Sequence, residues 1–130
     1  MSATLLIIED NEQNLYLMRF LLEKNGFAVI SAENGREGVE KALQYKPTAI
    51  LLDIQLPEMD GYAVAAELKT HAELDGTPII AVTSYAMMGD RETILAAGAT
   101  GYIEKPINPE TFVAEIGRYL PKRREDKEYA

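Results

Sequence analysis

Five short apolar runs, each followed by a stretch of helical period, constrain the fold of this chain more than any other feature. The runs cover residues 5–8, 27–30, 49–52 and 79–82, with a weaker pair at 102–103. Each is too short for a helix and rich in β-branched residues, which reads as a strand. The runs are continuous rather than alternating, the pattern of strands covered on both faces.

The intervening stretches carry their own punctuation. Residues 13–24 put Leu15, Met18, Leu21 and Leu22 on one helical face and stop at Asn25-Gly26. Asn34 and Glu37 stand in capping-box spacing ahead of Val39, Ala42 and Leu43. Further helices are predicted over 62–70 and 90–97, the latter closed by Gly98, and a fifth from Asn108-Pro109 to the residue before Pro121. Strand and helix alternating in this way predict an α/β fold with a parallel sheet between helical layers. A doubly wound, flavodoxin-like sheet in the order 2-1-3-4-5 is the expected arrangement, with strands one and three meeting at a switch point. The expected organisation is one domain over residues 1–120 and a charged tail over 121–130.

Composition narrows the function classes. The chain has 130 residues, 13 basic against 21 acidic, for a net charge of -8. Such a surface repels a phosphate backbone, so no nucleic-acid partner is expected. No cysteine is present, which removes disulfides, thiolate metal sites and thiol nucleophiles. No apolar run approaches the roughly 18–20 residues of a membrane span, and the first ten residues lack a basic leader. A cytoplasmic address and no membrane association are the expectation.

Chemistry collects at the C-terminal ends of the runs: Glu9-Asp10 after the first, Asp53 after the third, Thr83 after the fourth and Glu104-Lys105-Pro106 after the fifth. In open parallel sheets the ligand crevice lies beyond those ends, so the expected strand order brings them to one rim. Each has an ordinary alternative. Glu9 and Asp10 can cap the helix that follows, Asp53 can cap a turn leading to Pro57, and Thr83 and Lys105 alone are unremarkable. Their conjunction at one edge is what points to a site. Three crowded carboxylates need compensation. Oxygen donors without histidine or cysteine point to Mg²⁺, beside which a carboxylate can attack phosphorus.

These residues lie in the segments Leu5-Leu6-Ile7-Ile8-Glu9-Asp10-Asn11, Asp53-Ile54-Gln55-Leu56-Pro57-Glu58-Met59-Asp60-Gly61, Ile79-Ile80-Ala81-Val82-Thr83-Ser84 and Ala97-Gly98-Ala99-Thr100-Gly101-Tyr102-Ile103-Glu104-Lys105-Pro106. In order and spacing they resemble the response-regulator receiver domain of two-component signalling over residues 4–120, most closely the stand-alone single-domain receivers. The resemblance implies that Asp53 is the phosphoacceptor, charged by a histidine kinase or histidine phosphotransfer protein. It implies Mg²⁺ held by Asp10, Asp53 and the backbone carbonyl of Gln55, with Glu9 acting largely through water. Thr83 and Lys105 bind phosphoryl oxygens, and the Lys105-Pro106 peptide is cis. Tyr102 is the aromatic whose rotamer follows phosphorylation.

The implied output is a change in the face formed by the fourth helix, fifth strand and fifth helix, read by a downstream protein. Repacking of the 84–89 loop, where Met87, Met88 and Gly89 stand, would accompany it. The protein would catalyse its own phosphorylation and slow dephosphorylation without being an enzyme for a free substrate. In the family it resembles, the positions of Gln55 and Tyr85 tune dephosphorylation, and alanine or glycine is commoner where this chain has Ser84. Three other readings stay open: a receiver excised from a longer regulator or hybrid kinase, a docking-only pseudo-receiver, and a haloacid-dehalogenase-like phosphatase. The last wants a second aspartate where this chain has Gln55. His71, the only histidine, is expected to be a surface residue rather than a phosphodonor.

Overall fold

The computed structural model describes residues 3–56, 60–84 and 88–120, and of residues 88–90 the backbone alone. Pro57, Tyr85, Met87, the side chain of Met88 and the tail 121–130 lie outside the described residues. In chain order the elements are β1 (Thr4–Ile8), α1 (Glu12–Lys24), β2 (Ala28–Ala32), α2 (Gly35–Tyr45), β3 (Ala49–Asp53), α3 (Gly61–Lys69), β4 (Ile79–Thr83), α4 (Met88–Ala96), β5 (Gly101–Glu104) and α5 (Phe112–Tyr119). A short 3₁₀ turn, Ala72–Leu74, precedes β4 and has no counterpart in the sequence reading. The strands form one parallel sheet in the order β2-β1-β3-β4-β5.

Burial follows position in the sheet. Every residue of the inner strands β3 and β4 is buried, whereas the edge strands β2 and β5 keep partly exposed positions. Alternate residues of each inner strand feed opposite cores. Leu5, Ile7, Leu51, Ile80 and Val82 pack with Met18 and Leu22 of α1 and Phe112 and Ile116 of α5. Leu6, Ile8, Ile50, Leu52 and Ile79 pack with Val39 and Ala42 of α2 and Val64 and Leu68 of α3. Ala81, Ile54, Ile94 of α4 and Ala99 form a smaller third group against which Tyr62 and Tyr102 rest. Two apolar layers on one sheet account for the continuous hydrophobic runs.

The helix boundaries expose the local chemistry. Asn11 caps α1, its side chain accepting the Asn14 N–H at 2.9 Å. Asn34 accepts the Glu37 N–H at 2.9 Å, while the Glu37 carboxylate reaches back to the Glu33 N–H at 2.7 Å, one residue before the cap itself. Gly26 (φ 91°) and Gly98 (φ 120°) turn the chain after α1 and α4 in the left-handed region, which a side chain disfavours. The regular part of α4 begins two residues before the predicted start, at Met88, and that of α5 begins later than predicted, at Phe112. Asn108 still opens that last segment: its side chain accepts the Glu110 N–H and its carbonyl accepts the Phe112 N–H, both at 2.9 Å. The first turn, over Pro109 and Glu110, is irregular, so the cap and the regular helix are separated by one turn.

Two glycines should respond oppositely to alanine. A Cβ on Gly61 would run into the Cα of Ile54 and lie 2.9 Å from the Asp53 carbonyl, both backbone atoms with no room to yield. Gly117 is exposed inside α5 with nothing within 4 Å. Gly61→Ala is therefore expected to destabilise by about 1–3 kcal/mol. Gly117→Ala should stabilise by about 0.5–1 kcal/mol. Urea unfolding of both variants checks the opposite signs.

Candidate functional site

The switch point lies between β1 and β3, whose connections depart to opposite faces of the sheet. Ile8 pairs with Leu52, so the next residues, Glu9 and Asp53, emerge together at the C-terminal rim. Asp53 in turn pairs with Val82, and Thr83 pairs with Glu104, which brings the neighbouring Lys105 to the same rim. Carboxylate oxygens of Glu9, Asp10 and Asp53 all lie within 4.8 Å of one another. Glu9, Asp53 and Thr83 are buried, at 1%, 3% and 0% exposure, while Asp10 is exposed.

Backbone groups hold the carboxylates in place. The Asn11 N–H donates to Glu9 Oε2 at 3.1 Å, and the Gln55 N–H donates to Asp53 Oδ1 at 2.9 Å. Because Asn11 is the helix cap, Asp10 is not occupied with capping and stays available at the mouth of the pocket. The Gly61 N–H donates to the Ile54 carbonyl at 2.9 Å, and that glycine's bare Cα lets the start of α3 lie directly against the segment after Asp53. The sequence reading assigned Gly61 no separate role; its place directly after Asp60, the α3 cap, is the local signal for it.

Lys105 is the cation of the site. Its Nζ donates to Asp53 Oδ1 at 3.2 Å and sits 3.7 Å from Glu9 Oε1. The second distance makes an ion pair but no hydrogen bond, and Glu9 Oε1 is buried without a hydrogen-bond partner. The Lys105 N–H donates to the Thr83 carbonyl at 2.8 Å, and the Lys105-Pro106 peptide is cis. Gln55 also reaches over the rim, its Oε1 accepting the Ser84 N–H at 3.5 Å. Every residue singled out at the strand ends is thus at one rim, and Tyr102 lies on β5 in register with Ala81, on the sheet face that Thr83 shares.

One electrostatic consequence is clear. Burial, followed by contact with the Asp53 carboxyl and its charge, pushes Glu9 from 4.5 up to about 7, against the opposing pull of the Asn11 N–H and Lys105. The donor set suits a hard divalent cation. It is all oxygen, it holds excess negative charge, and Glu9 Oε1 is a buried acceptor lacking a hydrogen. Ligands of an octahedral Mg²⁺ at about 2.1 Å lie at most about 4.2 Å apart, a spread close to that of this cluster.

A five-stranded doubly wound protein with an acidic rim pocket and an opposed lysine defines a class, and the comparisons with known proteins identify it. The response regulator receiver domain model matches residues 5–117, and the chain belongs to that family. It is 44% identical over 120 residues to the polar-differentiation response regulator DivK of Brucella anthropi, covering 92% of this chain and 98% of that protein. Among solved structures, chemotaxis protein CheY4 of Vibrio cholerae superposes with a TM-score of 0.88 at 28% identity, covering 92% of this chain and 100% of that one. The receiver domain of a Pseudomonas aeruginosa sensor histidine kinase has a TM-score of 0.84 at 32% identity, covering 92% and 98%. That structure holds a magnesium ion coordinated in its active site cleft.

The raised Glu9 value sets a pH dependence. Between 4.5 and about 7 the folded protein holds a proton on Glu9 that the unfolded chain has released, so the contribution of Glu9 to stability falls as pH rises through that window. The loss is bounded at about 3 kcal/mol. Glu9→Gln should flatten this slope, which urea midpoints at pH 5 and pH 8 in metal-free buffer will measure.

Proposed function

We propose that this chain is the phosphoacceptor of a two-component phosphorelay, with residues 1–120 as the working unit and Asp53 as the residue that carries the phosphoryl group. The observation that carries this reading is the placement of Lys105 Nζ 3.2 Å from Asp53 and 3.7 Å from Glu9, at the edge of a pocket of three carboxylates. Receiver domains work with histidine kinases or histidine phosphotransfer proteins, and the donor here is a phosphohistidine on such a partner. Oδ of Asp53 attacks phosphorus as the phosphorus–nitrogen bond breaks, and the imidazole leaves with its electron pair and takes up a proton.

Asp10, Asp53 and the Gln55 carbonyl would hold Mg²⁺, with Glu9 acting through water. When bound, the ion supplies positive charge that offsets the crowding of anionic oxygens. Lys105 supplies a second positive charge from the β5 side, and the buried Thr83 hydroxyl supplies a hydrogen bond. Water slowly attacks phosphorus in the same pocket as the Oδ–P bond breaks, which yields inorganic phosphate and restores the Asp53 carboxylate, so the chain acts on its own aspartate and not on a free substrate. The dianion draws Thr83 inward, Tyr102 follows into the space released, and the α4-β5-α5 face changes shape for a downstream protein.

A one-domain regulator fits the relatives, since this chain spans 98% of the length of the DivK protein it resembles. Among the described residues no helix is long and apolar enough to cross a membrane. A cytoplasmic protein whose output runs through protein contacts is consistent with both observations and with the net charge of -8.

Intact mass after incubation with acetyl phosphate and Mg²⁺ tests the assignment. Wild type should gain one phosphoryl group and Asp53→Asn none. Lys105→Ala should slow labelling by about two orders of magnitude, the cost of removing one transition-state donor. An unlabelled wild type would favour the docking-only reading, and labelling of Asp53→Asn would move the acceptor elsewhere.

A further inference from the structure

Arg91, an exposed residue of α4, sets its guanidinium carbon 5.3 Å from the centroid of the Tyr102 ring. The ring rests on the group formed by Ile54, Ala81, Ile94 and Ala99. Arg91 and Ile94 are three residues apart on α4, hence on one helix face. One turn of that helix therefore supplies both an apolar seat and a cation for the same aromatic ring. We propose that Arg91 is a positioning residue for the switch: its cation–π contact holds Tyr102 where it lies in the unphosphorylated protein and so sets the resting balance of the switch. This rests on the reading of Tyr102 as the aromatic that follows Thr83.

The physical argument is a population shift. A contact made in one state and lost in the other biases the equilibrium by its own free energy, and only by that amount. An exposed cation–π contact corresponds to a two- to fivefold bias. Because ligand binding and conformational change are linked, weakening the resting state strengthens binding of any ligand that selects the other state by the same factor. Arginine suits the role because its planar group stacks on an aromatic face, whereas a lysine ammonium is more strongly hydrated and makes a poorer contact.

The test uses beryllofluoride with Mg²⁺ as the phosphoryl mimic, read two ways on the whole chain. Three-bond scalar couplings at Tyr102 report the populations of its χ1 rotamers, and titration gives the beryllofluoride affinity. Arg91→Ala should raise the minor rotamer of the free protein two- to fivefold and tighten beryllofluoride binding by the same factor. Arg91→Lys should fall between wild type and Arg91→Ala. In a Tyr102→Leu background, Arg91→Ala should leave the affinity unchanged, because the ring that carries the coupling is gone.

An unaltered rotamer population in Arg91→Ala overturns the proposal, as does an affinity gain that persists in the Tyr102→Leu background. A wild-type Tyr102 that ignores beryllofluoride while Asp53 still becomes labelled by acetyl phosphate removes the Thr83–Tyr102 switch, and this proposal with it, but leaves the phosphoacceptor assignment standing.

Discussion

The contact of Lys105 with Asp53 and Glu9 is the interaction on which the site depends. Two unit charges about 4 Å apart interact by about 4 kcal/mol at an effective dielectric near 20, so the repulsion among three carboxylates is large on the scale of a domain's stability. One ammonium cannot neutralise all three. Burial first, and then the neighbouring Asp53 carboxyl, push Glu9 up to about 7, so that a proton or a divalent cation would relieve the remainder. The pocket is in this sense left short of positive charge. A rim with three carboxylates and one ammonium has the charge to suit a divalent cation.

That shortage is created by topology and not by any local motif. Glu9 follows β1, Asp53 closes β3 and Lys105 follows β5, so the groups are separated by 44 and 52 residues along the chain and are joined only by strand register. The inner strands are buried on both faces, and a one-residue slip would exchange the rows that pack into the two cores and disturb both. Gly61 completes the arrangement from the other side, since the close approach of α3 fixes the segment carrying Gln55 just beyond Asp53. The packing core thereby sets distances in a pocket that contributes little apolar contact of its own.

Much of this was legible before any coordinates. Continuous apolar runs separated by capped helical stretches give the α/β class and the five strands, and the reactive residues stand at strand ends because that is where side chains leave the sheet. The chain punctuation at Asn34, Gly26 and Gly98 reads correctly because each acts through its own backbone neighbours. The irregular turn after Asn108 was less legible: cap, proline and helix occur in the expected order, but the start of regular helix depends on how Phe112 docks into the core. That crowding would push up one of the carboxylates was legible, but that Glu9 is the one, and that Arg91 meets Tyr102, were beyond reach. Both arise from distances between elements, and a sequence states which groups exist without stating how far apart they are held.

Gln55 separates this pocket chemically from that of a phosphatase with an aspartate nucleophile. After an aspartate takes a phosphoryl group, rapid turnover needs a nearby acid to serve the leaving group and then a base to activate water. Two residues beyond Asp53 this chain offers a carboxamide, which neither gives up nor accepts a proton near neutral pH, and its Oε1 is directed to the Ser84 N–H. The other carboxylates at the rim differ in setting: Glu9 is buried beside Lys105, and Asp10 is exposed in the same cluster. The Gln55 side chain thus ties the segment after β3 to the segment after β4 instead of offering an acid at that position.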